Sequence, residues 1–154
     1  MEIKIQLAKI DQARDCLSCV RHSDLWETYF KSNATVENNI REKIKKKQVY
    51  VALNKNNNCI GFMGVINNGC FGKFSYLSLI AVKRRYRSKG VGRELINKFE
   101  EIGFKKADRV FLLVSDFNKK AQFLYRKLGY KKVGKIPDLF KKDVYEHVLV
   151  KYEI

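Results

Sequence analysis

A single proline, Pro137, and nine glycines among 154 residues leave no room for a proline-rich linker, a collagen-like repeat or a low-complexity glycine tract. No apolar run is long enough to span a bilayer. Residues 1–7 alternate like a strand instead of showing a charged-then-apolar leader, so a soluble, cytoplasmic protein without a membrane partner is expected. Only two histidines occur, His22 and His147, and no second Cys-x-x-Cys accompanies Cys16-x-x-Cys19, so the partners of a zinc site are missing and no metal is expected. Cys16, Cys19, Cys59 and Cys70 therefore read as small buried hydrophobes, with a functional thiol pair at 16 and 19 as the alternative.

Acidic residues are also scarce, 16 against 32 Lys and Arg, for a formal charge of +16. Such a charge suits a nucleic acid, an acidic partner, or a merely solvated surface. The lysine runs at 45–47, 105–106, 119–120, 131–132 and 141–142 fall at element ends or turns, where lysine solvates the chain. Only Lys83-Arg84-Arg85-Tyr86-Arg87-Ser88-Lys89 is concentrated and arginine-rich. No motif interleaving aromatics with basic residues is present, so a nucleic-acid partner is not expected.

What remains is a chain with 45% hydrophobic residues, enough to bury a core in one domain over residues 1–154. Ile3, Ile5 and Leu7 alternate as a first strand. Asp11 is placed to cap a helix with apolar positions Ala13, Cys16, Leu17 and Val20. Ser23 begins a second helix with Leu25, Trp26, Tyr29 and Phe30, and Val36, Ile40 and Ile44 mark a third. Residues 49–53 and 59–66 flank an asparagine-rich turn at 54–58 as a hairpin, and Asn67-Asn68-Gly69 reads as the connection to a strand at 76–82. Val91, Leu95, Ile96, Phe99 and Ile102 share one helical face, and residues 109–115 form a buried strand. Ala121, Leu124, Tyr125 and Leu128 make a helical stripe stopped by Gly129, and strands at 130–136 and 144–152 close the chain.

The run from Leu77 through Lys89-Gly90-Val91-Gly92-Arg93 carries a strand through a basic turn into a helix. The first N–H groups of a helix have no intrahelical acceptors, and with the helix dipole they attract anions. Gly90 and Gly92 allow a phosphate to approach the main chain, while Arg87, Lys89 and Arg93 add charge. A mononucleotide P-loop requires Gly-Lys-Ser/Thr, but here the lysine precedes the glycine. A dinucleotide fingerprint requires a third glycine, which Arg93, Glu94 and Leu95 do not supply.

Arg87-x-x-Gly90-x-Gly92 resembles the acetyl-CoA pyrophosphate motif Arg/Gln-x-x-Gly-x-Gly/Ala of the GCN5-related N-acetyltransferase (GNAT) superfamily. A strand at 110–115, then Asn118-x-x-Ala121-x-x-x-Tyr125-x-x-x-Gly129-Tyr130, is similar to the motif that follows it in the same family. Arg84-Arg85 departs from the Pro-Glu pair that commonly precedes the turn, changing charge at its mouth. The ending, residues 134–138 and 145–151, is similar to those of small uncharacterised prokaryotic members.

The resemblance implies an α/β fold, a central mixed, mostly antiparallel sheet flanked by helices, with parallel strands near 76–82 and 110–115 splaying to admit pantetheine. It also implies that acetyl-CoA is bound by main-chain groups of Ile80, Ala81 and Val82 and by the turn Arg87, Ser88, Lys89, Gly90, Val91, Gly92, Arg93, with Asn118, Ala121 and Tyr125. The acceptor is then a primary amine attacking the thioester directly in a ternary complex, in a monomer or homodimer. Tyr125 becomes the general acid for the departing thiolate, its ordinary pKa near 10 lying close to that of an alkyl thiol. Glu146 and Glu27 are candidate bases, Ser78 a residue that orders water, and His22 and His147 stand isolated. A CoA-binding regulatory module without catalysis is the alternative, and the charge of +16 motivates a nucleic-acid-associated one.

Overall fold

The computed structural model describes residues 1–21, 23–30 and 32–154, and the side chains of Asp24 and Leu25 are outside that description; His22 also falls outside the described residues. The strands are β1 (Lys4–Leu7), β2 (Val49–Leu53), β3 (Cys59–Cys70), β4 (Phe74–Val82), β5 (Arg109–Ser115), β6 (Lys131–Pro137) and β7 (Tyr145–Tyr152). The helices are α1 (Ala13–Val20), α2 (Asp24–Tyr29), α3 (Asn33–Lys45), α4 (Val91–Phe104) and α5 (Lys119–Lys127). The strands pair in the order β1-β2-β3-β4-β5-β7-β6. The β4–β5 ladder is parallel at Tyr76↔Phe111 and Leu77↔Leu112, whereas β1–β2, β2–β3, β5–β7 and β6–β7 are antiparallel. This is the mixed, mostly antiparallel sheet that the sequence resemblance implies.

Two compact units divide the chain, Met1–Val65 with Leu79–Phe99, and Ile66–Ser78 with Glu100–Ile154. In the first, the apolar spacing on α1 and α3 does what periodicity dictates: Ala13, Cys16, Leu17 and Val20, with Val36, Ile40 and Ile44, pack against Val49, Val51, Leu53 and Phe62. Ser23 caps α2 by accepting the Trp26 N–H at 3.1 Å. Asp11 caps nothing. It lies in a 3-10 turn at Ile10–Gln12, where the Gln12 side-chain oxygen accepts the Lys9 N–H at 2.8 Å, and α1 follows that turn without a side-chain cap.

Asn67-Asn68-Gly69 is strand, not connection. The β3–β4 turn comes later, at Phe71 (φ +56) and Gly72 (φ +67), with the Lys73 N–H donating to the Cys70 carbonyl at 3.2 Å. Two successive left-handed residues suit the twist of a tight hairpin, and that geometry overrides the turn preference of asparagine. In the second unit, α5 starts on Asn118, whose side chain accepts the Ala121 N–H at 3.2 Å, and ends before Gly129 at φ +97, as the sequence pattern requires.

Glu100 joins the end of α4 to β6 and β7, accepting from Tyr130 Oη at 3.0 Å and from Lys151 Nζ at 2.8 Å. Burial pushes the Tyr130 and Tyr125 phenols up, and it raises Tyr76 to about 12. Unfolded tyrosine titrates near 10, so these phenols add full stability below that pH and lose it as pH rises towards their folded values. The unfolding free energy from urea titrations is therefore expected to fall above about pH 10, by up to about 1.4 kcal/mol per pH unit for each phenol. Phenolate absorbance from the buried tyrosines should appear only with unfolding; full ionisation of all eight tyrosines in the folded protein would contradict this.

Candidate active site

In the first unit, β4 ends at Val82 and a 3-10 turn at Arg84–Tyr86 leads to Arg87, Ser88, Lys89 and Gly90 before α4 begins. Lys83 N–H donates to the Ile60 carbonyl at 2.8 Å, fixing the turn to β3. Arg87 Nε donates to the Val82 carbonyl at 3.0 Å, so this side chain braces the turn as well as charging it. Arg85 and Lys89 lie over the Tyr86 ring, 5.5 and 6.0 Å from its centroid.

Ser88 (φ +61) and Gly90 (φ +87) are left-handed, and such alternation of backbone handedness is how successive N–H groups are aimed to one side as an anion nest. The first α-helical bond of α4 runs from the Glu94 N–H to the Gly90 carbonyl, which leaves Val91, Gly92 and Arg93 N–H at the open end. A Cβ added at Gly90 would meet nothing within 4 Å, and one at Gly92 would meet only Val82 Cγ2 at 3.9 Å. The space a side chain would fill is thus open beside these N–H groups, which fits a diphosphate.

In the second unit, Gln122 Nε2 donates to the Ser115 and Asp116 carbonyls at 2.9 and 3.1 Å, tying α5 to the end of β5. Tyr125 is 4% exposed and packs edge-on against Tyr130, with ring centroids 5.6 Å apart. Burial raises its phenol, so Tyr125 stays protonated at any physiological pH, and the near balance with a thiol expected from its ordinary pKa is displaced. The group is a hydrogen-bond donor first, and full transfer of its proton to a thiolate, a weaker base than this buried phenolate, is uphill.

Glu146 sits opposite Ser115 in the β5–β7 ladder, 4% exposed, and accepts from Ser115 Oγ at 2.9 and 3.1 Å. Alternation puts Tyr76 and Ser78 of β4 on the face that holds Ser115 and Glu146. Tyr76 is raised first by burial and then by the Glu146 carboxylate. Ser78 Oγ is buried and has no hydrogen-bond partner, a donor and acceptor available to a polar ligand or water.

His147 lies on the opposite face, at a cavity of about 310 Å3 lined by Gln122, Arg126, Tyr130, Lys131 and Lys132. Burial, then Lys132 and Lys119, hold its imidazole below the ordinary value. Glu27 is exposed on α2. Sequence reasoning missed Gln122, Ser115 and Tyr76, because only strand register reveals which side chains Glu146 meets. Among the described residues, no group of three or more His, Cys, Asp or Glu side chains is arranged to hold a metal ion, and no helix is long and apolar enough to cross a membrane.

A mixed sheet whose fourth strand passes through a basic, glycine-containing turn into a helix marks an α/β protein with an anion-binding turn. The profile of the Acetyltransferase (GNAT) family matches residues 17–130, and the chain belongs to that family. It is 30% identical to the N-alpha-acetyltransferase RimI of Mycobacterium tuberculosis over 95 residues, 61% of this chain and 59% of that protein. It is 44% identical to the thialysine N-epsilon-acetyltransferase of Sus scrofa over 59 residues, 38% of this chain and 35% of that enzyme. The chain thus spans between about a third and three fifths of the length of these relatives. Ard1 from Thermoplasma volcanium shares the fold, with a TM-score of 0.81 at 18% identity over 100% of this chain and 99% of that one.

Proposed function

We propose that the protein transfers the acetyl group of acetyl-CoA to a primary amine by direct attack on the thioester, with no acetylated side chain along the way. The observation that carries this reading is the open, left-handed turn at Ser88 and Gly90 feeding the unsatisfied N–H groups of α4. Arg87 braces that turn, and Lys89 and Arg93 neutralise phosphate charge. Main-chain groups at Ile80, Ala81 and Val82 bond the pantetheine amides. Asn118 caps α5 and, with Ala121, holds the segment that carries Tyr125, whose phenol protonates the leaving thiolate.

Glu146 takes up the proton that the ammonium form of the acceptor must lose, with Ser115 orienting its carboxylate and Ser78 holding an intervening water. In a site of this kind the buried carboxylate also attracts the incoming ammonium, while the basic exterior disfavours a polycation. The direct test is a turnover screen with acetyl-CoA against amino acids, monoamines, polyamines and peptide N-termini, read as free thiol; no turnover with any class would refute the proposal.

Binding has its own readout. Acetyl-CoA at about a hundred times its Kd is expected to raise the melting temperature by about 5–10 °C by mass action on the folded state, while duplex DNA at moderate salt does not. The reverse ranking, or a steeply salt-dependent DNA shift, would assign the basic turn to nucleic acid instead.

A further inference from the structure

Three thiols meet in the first unit. Cys16 and Cys19 occupy the buried face of α1 and are both 0% exposed, while Cys59, at 4%, opens β3. All three belong to one apolar core cluster, with the Cys59 thiol beside both helix thiols. Cys19 Sγ also donates to the Asp15 carbonyl at 3.3 Å and Cys59 Sγ to the Gly61 carbonyl at 3.5 Å. Cys70, at the far end of β3, is half-buried and belongs to the other unit.

Clustering of thiols has a chemical consequence that a solitary buried cysteine lacks. A thiolate at Cys59 would be stabilised by the two S–H donors, and also by the charge of Lys83, against the cost of burial. Burial and the same contacts push Cys16 and Cys19 up, so they remain thiols. A sulfur of this cluster that is oxidised thus has proton-bearing thiols already at its side.

We propose that Cys59 and one of the two α1 thiols form a reversible disulfide when the protein meets a hydroperoxide. Cys59 sulfur attacks the distal peroxide oxygen, the O–O bond breaks, and Cys59 becomes a sulfenic acid while the leaving oxygen departs as water or alcohol. The Cys16 or Cys19 sulfur then attacks the Cys59 sulfur, expelling the sulfenic oxygen as a second water. In balance, two thiols and one peroxide give one disulfide, with the peroxide as the two-electron oxidant. A small neutral peroxide is suited to a site this buried, whereas a bulky disulfide reagent is not. The cross-link joins α1 to the start of β3, next to Ile60, the residue whose carbonyl holds Lys83 at the entrance to the basic turn.

The test uses the full-length protein carrying Cys70→Ser, so that one tryptic peptide contains Cys59 alone. After native treatment with hydrogen peroxide and alkylation, the intact mass should fall by two hydrogens and two thiols should become unreactive. Peptide 15–21 should be found linked to peptide 56–73, and dithiothreitol should undo the link. The melting temperature of the oxidised form should rise by at least about 5 °C, because the bond closes a long loop. Adding Cys59→Ala should abolish the link; if that variant does not fold, the peptide map of the Cys70→Ser protein decides alone. A bond confined to peptide 15–21, over-oxidised cysteines without a link, or three thiols still open to alkylation would each overturn the proposal.

Discussion

Tyr125→Phe is expected to lower turnover about 10²-fold or more while leaving acetyl-CoA affinity within about twofold. The substitution keeps the ring and with it the edge-on contact with Tyr130, so packing is retained. Only the hydroxyl is lost, and a donor that meets charge developing on sulfur acts in the transition state more than in the bound ground state. Because burial raises the phenol, its ionisation should not limit kcat on the alkaline side before pH 10. Isothermal calorimetry and single-turnover kinetics separate the two effects. Wild-type turnover when chemistry limits the rate would make Tyr125 a core aromatic and nothing more, as would a loss explained entirely by a lower melting temperature.

What could be read from the chain divides by distance along it. Caps and turns are local, so Ser23, Asn118 and Gly129 fulfil the roles their positions suggest, and the basic turn is legible because a handful of consecutive residues build it. Asn67 to Gly69 misleads because pairing along β3 and β4 satisfies their backbone better than a turn would, and Phe71, an unlikely residue by turn statistics, takes a left-handed φ instead. Asp11 misleads because a 3-10 turn at Ile10–Gln12 takes it in and α1 starts only at Ala13.

Long-range chemistry is less visible. The contact of Ser115 with Glu146 depends on β5 and β7 pairing in one register, and a shift by a single residue would place the two on different faces. Cys16-x-x-Cys19 is evident as a spacing, but Cys59 joins it only through the packing of α1 on β3, which no short motif encodes. The parallel alignment of β4 with β5 is of the same kind, and it reached the sequence reading through family resemblance alone.

Gly92 offers the cleanest separation of fold from ligand, and Gly90 does not. Gly90 holds φ +87, so any side chain there strains the backbone and confounds binding with stability. Gly92 has no such constraint and lies in the first turn of α4, where a Cβ would find only Val82 Cγ2, at 3.9 Å. Gly92→Ala should therefore fold at least as well as the wild type, and by helix propensity gain up to about 1 kcal/mol. The larger, branched side chain of valine would extend from this position into the space through which a diphosphate approaches the α4 N–H groups. Acetyl-CoA should then bind at least tenfold more weakly to Gly92→Val, about 1.4 kcal/mol, while Gly92→Ala, the residue the motif also accepts here, keeps close to wild-type affinity. Affinity thus separates the two variants by the bulk added beside the α4 N–H groups, with alanine as the control for fold and valine as the test of the ligand. Unchanged acetyl-CoA affinity in a folded Gly92→Val protein would remove the diphosphate from this turn, and with it the observation on which the acetyl-transfer reading rests.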